Sequence, residues 1–466
     1  MEKDNKNEKR KKIRLSRCYR LFLFFIMINI DGTMDVSSGV FSSAAGEIKR
    51  QLKLNDAKFG GFGTALSFGR IIGSFLFFFL NKKVNRKYFT TTLITLHSLF
   101  LFCFKITNNA QILIVLRCFH GLTQYSPTIY IPVWINQFGI KEYKTIQITS
   151  IQLCQAIGKL LGHFIVIIIG FENWQYGFII SGSYLLILAF CCLISNENYF
   201  SKTLYPQKNN DKIRLSCTIF EEQEINKNER KFNYLIDLFL LLQNPLYVLS
   251  LICRSIIRGL ITCLHYWFSD FLRNILIDEK PITITISYAI ICFTGPFGGI
   301  IANTLLKPCF GSYESRKASW PLVILQLIAS IFAISIGLMR SLYTICFVAI
   351  LFLIFNSSVI ALIQGILISC VDENLSATGF AFANACTQII TSGPTPMIYG
   401  MINDKFKEKY PWLAMCCIMS LNLFSVPLLV YLAILRNKKF DEDNEKSEKE
   451  KELIEINETK EENKKI

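Results

Sequence analysis

The sequence predicts an all-α polytopic membrane protein, with twelve transmembrane helices in two six-helix halves. Three observations carry that expectation. Of 466 residues, 52% are hydrophobic, including 39 Phe, and only 18% are charged, for a mean hydropathy of +0.36. The charge gathers in the tails and short connectors, which leaves long uncharged runs, and roughly 20 apolar residues suffice for a helix to cross a bilayer. The runs fall into two groups of six around one long polar segment.

In chain order, a basic cytosolic tail (1–18) precedes the first run, 19–43. No small-residue cleavage site follows that run, so it reads as a retained helix and not a signal peptide. Runs at 60–80, 88–106, 109–137, 145–170 and 174–195 complete an N-terminal half, 19–195. The polar segment 196–238 reads as a linker. The second half, 239–435, holds runs near 243–272, 281–307, 318–340, 342–370, 373–402 and 409–435. The tail 436–466 carries both signs of charge and few apolar residues. It cannot bury a core, so it is expected to be disordered or a lone charged helix.

The net charge of +15 lies beside the apolar runs, which is the pattern of the positive-inside rule rather than of a nucleic-acid surface. The N-terminal tail, "NKKVNRK" (81–87) and the linker are the basic connectors, so both termini and the linker are expected in the cytosol. "GEIKRQLKLNDAK" (46–58) and "DKFKEK" (404–409) put basic residues on the other side as well. The 16 cysteines lie mostly within runs and show no zinc spacing; they read as small apolar residues, with neither a disulfide framework nor a metal expected. The N-x-S/T sites at Asn356, Asn374 and Asn457 fall in a helix or on the cytosolic side. No HExxH, GxSxG or GxxxxGK[ST] occurs, so neither an enzyme, a primary pump nor a cofactor is expected.

Ionisable groups at bilayer depth cost about 2.5 kcal/mol or more, so they mark function or pairing. On a helix, positions i, i+3, i+4, i+7 and i+11 share a face. Arg117, His120, Gly121, Gln124 and Thr128 have that spacing, as do Gln152, Gln155, Lys159 and His163. Asp31 and Asp35 are four apart, Arg70 stands between Gly69 and Gly73, and Arg254, Arg258 and His265 follow i, i+4, i+11. Each has a structural alternative. Arg117 could snorkel, Asp31 and Arg70 could form one buried pair, and Arg254 with Arg258 could anchor a membrane edge. Gly158 and Gly162 would let helices approach closely. Cations exceed carboxylates in the set, which favours an anionic or zwitterionic substrate.

Several stretches resemble the major facilitator superfamily, and within it the Spinster-type branch. Arg117, Gly121 and Pro132 are similar to that branch's fourth helix, "NRKY" (85–88) to the end of its second-to-third-helix loop, and "LLQNPLYVLS" (241–250) with Trp267 to its seventh helix. "TGPFGGIIANTLL" (294–306) resembles the eighth, and "SGPTPMIYGMINDKF" (392–406) the eleventh, through Gly393, Pro394, Pro396, Gly400 and Asp404. The matches spread over about 20–435. Two places depart from the pattern. Asn81, Lys82 and Lys83 stand where the family has Gly-Asp-Arg, and Gln124 stands where the branch has a glutamate. The resemblance implies a secondary-active or facilitative transporter of an organic anion or a phosphate-bearing, lysophospholipid-like lipid, working by rocking two halves about a midplane site. Proton coupling would then fall to Asp31 or Asp35, with His120 or His163 behind them. Fold does not fix substrate. A sugar or amino acid remains a candidate, as does a non-transporting sensor that kept the fold.

Overall fold

The computed structural model describes residues 17–80, 84–140, 143–197, 200, 234–310, 315–371 and 375–462. The departing loop residues Asn81, Lys82 and Lys83, and most of the central linker, lie outside them. The first half is built from α1 (Arg17–Ser43), α3 (Asp56–Leu80), α4 (Arg86–Cys103), α5 (Ala110–Phe138), α6 (Lys144–Ile169) and α7 (Gln175–Ile194), with a short helix α2 (Ala45–Leu52) between α1 and α3. The second begins with a short α8 (Tyr234–Gln243) and continues as α9 (Pro245–Ile275), α10 (Pro281–Phe310), α11 (Ser319–Leu338) and α12 (Leu342–Ser369). Its eleventh span is broken into α13 (Ser376–Thr387) and α14 (Pro394–Phe406), and its twelfth into α15 (Leu413–Ser420) and α16 (Ser425–Glu462). The described residues form twelve spans, and nine of the helical segments are long and apolar enough to cross a bilayer by length and composition. Span α4, span α5 with its polar face, and the broken α13–α14 complete the set.

Alternating direction puts residues 17 and 436 at one end of the bundle, here called the near end. There Arg20 donates to the Phe138 carbonyl oxygen (3.1 Å), the Asn196 amide donates to the Tyr19 hydroxyl (2.9 Å), and Arg316 pairs with Asp441 (2.5 Å). Connectors 104–109, 170–174, 276–280 and 407–412, together with α2, form the far end. Inside the first half α1 lies along α6, α3 along α5, and α4 along α7. In the second, α12 packs against α9, α10 and α11. The halves meet where α3 runs against α13 and α14, and where α6 runs against α10.

Two elements differ from the sequence expectation, and a third, the tail, takes one of its two alternatives. The charged stretch 46–58, expected as a connector, contains α2. Its Ala45 and Ile48 are buried, with Glu47 in the first turn and Lys49 and Arg50 in the last, the order a helix dipole favours. The run expected at 373–402 is broken by a π turn at Gln388–Ser392, where the Gly393 amide reaches back five residues to the Gln388 carbonyl oxygen (2.8 Å). Pro394 and Pro396 lack N–H donors, and the wider turn absorbs the missing bonds. The charged tail continues α16 as helix through Glu462. At 1.5 Å per residue, α16 is about 57 Å long, well beyond the ~30 Å of a hydrocarbon core.

Candidate functional site

Two glycine seams position the polar faces of the first half. On α6, a methyl group at Gly158 would lie 1.9 Å from the Gly32 carbonyl oxygen of α1; one at Gly39 of α1 would lie 2.1 Å from the Lys159 carbonyl oxygen. Between α3 and α5, a methyl at Gly69 would lie 1.8 Å from the Cys118 oxygen and one at Gly121 2.1 Å from the Leu66 oxygen. No other residue fits at such separations, so these backbones touch. The consequence is local. Asp31 and Asp35 on α1 come up against Gln155 and Lys159 on α6, and Arg70 on α3 against Gln124 on α5.

These groups surround a cavity of about 80 Å³ between the halves, lined by Asp35, Arg70, Arg117, Gln124, Thr128, Gln155 and Lys159 from the first half and by Arg258, Thr262, His265, Tyr266 and Gln388 from the second. The cavity is polar and roomy enough for ordered water.

Each carboxylate is joined to a guanidinium through a glutamine. Arg70 donates to Gln124 Oε1 (3.0 Å), whose Nε2 donates to Asp35 (3.1 Å). Arg258 donates to Gln155 Oε1 (3.3 Å), whose Nε2 donates to Asp31 (2.8 Å); the Thr128 hydroxyl donates to the other oxygen of Asp31 (2.7 Å). An amide has one acceptor and one donor end, so it fits between a cation and an anion. Asp31 and Arg70 therefore do not pair with each other, the reading that their charges alone suggested. Gln124, which cannot titrate, is the neutral middle of a three-residue chain.

The cations differ in what they hold. Arg117 is 1% exposed, so it does not snorkel. Its guanidinium lies over the Phe41 ring (4.7 Å), and its Nε and one Nη are buried without a hydrogen-bond partner. The Lys159 ammonium makes no hydrogen bond or ion pair among the described residues. Arg254, also 1% exposed, is no edge anchor: it donates to Thr387 (3.1 Å) and Asn384 (2.8 Å) and lies over Phe380. It belongs to a second, smaller chamber on the near side, which shares Thr128, Gln155 and Arg258 with the main cavity.

Of the histidines, only His265 lines the cavity. The Tyr288 hydroxyl donates to the His265 carbonyl oxygen (2.6 Å) and lies 3.0 Å from His265 Nδ1, with the Cys292 thiol 3.4 Å from the same nitrogen. His163 is buried behind the wall, with Nδ1 on the Lys159 carbonyl oxygen (2.8 Å) and Nε2 facing Ser42 (3.3 Å). His120 is buried inside the first half, with Nε2 facing Ser37 (3.0 Å) and its ring against His97.

Sequence reasoning missed the far-end seal. Lys49 on α2 bridges Asp56 at the start of α3 (2.7 Å) and Asp270 near the end of α9 (2.6 Å), and Lys407 holds the other oxygen of Asp56 (2.8 Å). Asp404 of α14 accepts the backbone amides of Asp56 (3.0 Å) and Ala57 (2.8 Å), capping α3 from the other half. Burial pulls the Lys49 ammonium down, but Asp270 and Asp56 outweigh it and hold its pKa above the ordinary value. Gly60 and Gly400 let α3 and α14 cross with backbones nearly touching. The basic residues of 46–58 and 404–409, which blurred the charge asymmetry, supply Lys49 and Lys407. The signal that could have found the seal was their match with Asp56, Asp270 and Asp404 at helix ends.

Against known proteins, residues 22–394 match the sequence profile of the Major Facilitator Superfamily. Solved structures share the fold at low identity. A bacterial homologue of the human lysosomal transporter Spinster, inward-facing and unoccupied, is 15% identical with a TM-score of 0.61, over 90% of this chain and 96% of the other. The nucleoside transporter NupG is 14% identical with a TM-score of 0.56, over 88% and 98%. The proton:xylose symporter XylE bound to 6-bromo-6-deoxy-D-glucose is 11% identical with a TM-score of 0.66, over 89% and 96%. No curated protein sequence matches the chain. A profile match over most of its length, twelve spans in two halves and a polar cavity between them place the chain in the Major Facilitator Superfamily, as a membrane transporter that works by alternating access.

Proposed function

We propose that the chain carries an organic anion, with a phosphate-bearing, lysophospholipid-like molecule as its first substrate class. The observation that carries this reading is Arg117, a guanidinium buried in the cavity wall with two nitrogens unpartnered. A buried donor left unpaired costs about 1–3 kcal/mol, more for a charged group. An incoming anion removes that cost. The balance of the wall agrees: Arg70, Arg117, Lys159 and Arg258 face one lining carboxylate, Asp35, with Asp31 directly behind. Guanidinium forks suit phosphate and carboxylate oxygens. Arg70 and Arg258 are already engaged through glutamines, which leaves Arg117 and Lys159 as the substrate cations. Asp31 and Asp35 are the groups through which protons would couple. The near end, with its basic connectors, faces the cytosol.

The amides and hydroxyls of Gln124, Gln155, Thr128 and Thr262 support a second reading, a small polar metabolite such as a sugar or an amino acid. A sensor without flux is the third. Proteoliposomes loaded with labelled lysophospholipids, sugars and amino acids, with and without a pH gradient, separate them. Lysophospholipid flux that collapses in Arg117→Met supports the anion reading. Sugar or amino-acid flux in its place overturns that reading, and binding without flux favours the sensor.

A further inference from the structure

The two glutamine bridges are not equivalent. Arg70, Gln124 and Asp35 all belong to the first half. In the other bridge Asp31 and Gln155 belong to the first half, but Arg258 comes from α9 of the second. Gln155 is also where the main cavity meets the smaller near-side chamber, since Thr128, Gln155 and Arg258 line both. Beyond them the chamber runs toward Pro132, Ile148 and Gln364, at the near ends of α5, α6 and α12. The Arg258–Gln155 bond thus spans the place where cavity and chamber meet, and its first-half end is tied to a carboxylate.

We propose that Gln155 is a positioning residue that links the charge of Asp31 to closure of the near-side exit. With Asp31 ionised, its Oδ2 holds the Gln155 amide by a charge-assisted bond, and the amide oxygen is turned toward Arg258. The proton site is already built. The Thr128 hydroxyl has two acceptors in reach, Asp31 Oδ1 at 2.7 Å and the Gln124 carbonyl oxygen at 3.2 Å. When a proton from solution binds Oδ1, Thr128 accepts it and turns its own proton to Gln124. The Gln155 amide then faces a neutral carbonyl, its bond weakens, and the side chain no longer holds Arg258 across the gap. Asp35 on its own helix, Arg258 on α9 and Cys154 on α6 act on Asp31 directly; the adjoining cavity and chamber add Lys159 on α6, Arg117 on α5, Arg70 on α3 and, from α9, His265, Tyr266 and Arg254. Of the second-half groups, Arg258 is the one joined to Asp31 through a side chain, by way of Gln155.

This rests on the transport reading of the cavity but needs no substrate identity. The test is hydrogen–deuterium exchange of the full chain in nanodiscs, corrected for intrinsic rates, at about pH 5 and about pH 8. In the unsubstituted protein, protection of the near halves of α6 and α9 is expected to fall about tenfold at the lower pH, the worth of one charge-assisted bond. Gln155→Met, of equal length but without the amide, should show the low protection at both pH values, and so should Asp31→Asn. A Gln155→Met protein that keeps the pH difference, or an Asp31→Asn protein that stays closed, overturns the proposal. Far-end protection of α2 and α14 reports folding: its loss in Gln155→Met moves the decision to Arg258→Met, which must erase the same pH difference. Failure of the anion-flux assay leaves this readout untouched.

Discussion

Arg117 and Gln124 sit seven residues apart on one helix and show how far a single side chain's role depends on its neighbours. Arg117 keeps unpartnered donors, while Gln124 is engaged at both ends. Replacing Arg117 with Met should lower anion flux by about 10- to 100-fold, the loss of one or two charge-assisted hydrogen bonds. Arg117→Lys should recover part of it, because the charge returns without the fork. Equal flux in both variants and the unsubstituted protein would remove Arg117 from the site. Gln124→Glu should act differently. A second carboxylate facing Asp35, with Arg70 on its other side, titrates with it as a pair. The pH profile of flux is expected to gain a step absent from the unsubstituted protein; an unchanged profile would argue that position 124 carries no charge in the cycle.

At the scale of elements, the site exists because two pairs of helices touch at glycine. The seams α1–α6 and α3–α5 leave no room for a side chain at Gly158 or Gly121. Gly158→Leu should force α1 and α6 apart, at a cost of about 3 kcal/mol or more from overpacking. It should also break the Gln155–Asp31 bond one turn away. Thermal unfolding in detergent would show a lowered midpoint; a midpoint equal to the parent's would mean the seam is looser than these contacts. Gly61 is a useful control, because a methyl there meets nothing within 4 Å, and Gly61→Ala should unfold at the parent's temperature.

For the whole molecule, the question is which end is shut. The far end is held by Lys49, Lys407, Asp56, Asp270 and Asp404, contributed by both halves. Lys49→Glu would set three carboxylates together and should open that end. Exchange protection of α2 and α14 would fall, and water-soluble reagents would reach the cavity from the far side; continued protection would mean the glycine crossing of α3 and α14 suffices alone. The sign of the pH dependence follows from Lys49. Its pKa is raised in the folded state, so its contribution is complete below the ordinary lysine value of 10.5 and is lost only as pH rises through the raised one. Far-end protection should therefore be flat through neutral pH, decline in strongly alkaline buffer as Lys49 loses its charge, and decline in acid once Asp56 and Asp270 take up protons.

The sequence by itself determined the twelve spans, because crossing a bilayer requires apolar length and that requirement is written locally in every run. It also picked out the cavity helices, since an arginine or aspartate in such a run must face protein or water. Arg70, Arg117, Gln124, Gln155, Lys159 and Arg258 line one cavity, and their helical spacing alone put several of them on shared faces. Spacing along one helix says nothing about the neighbouring helix. It could not distinguish Arg117, which lines the cavity, from His120 three residues later, which points into the first half. Nor could it show that Asp31 answers to Gln155 and not to Arg70. Those pairings, like the far-end seal from Lys49 to Asp270 across 221 residues of chain, were decided only by tertiary structure. A hydrogen bond or ion pair depends on distances of about 3 Å between atoms of different helices, and those distances are set by how the helices pack.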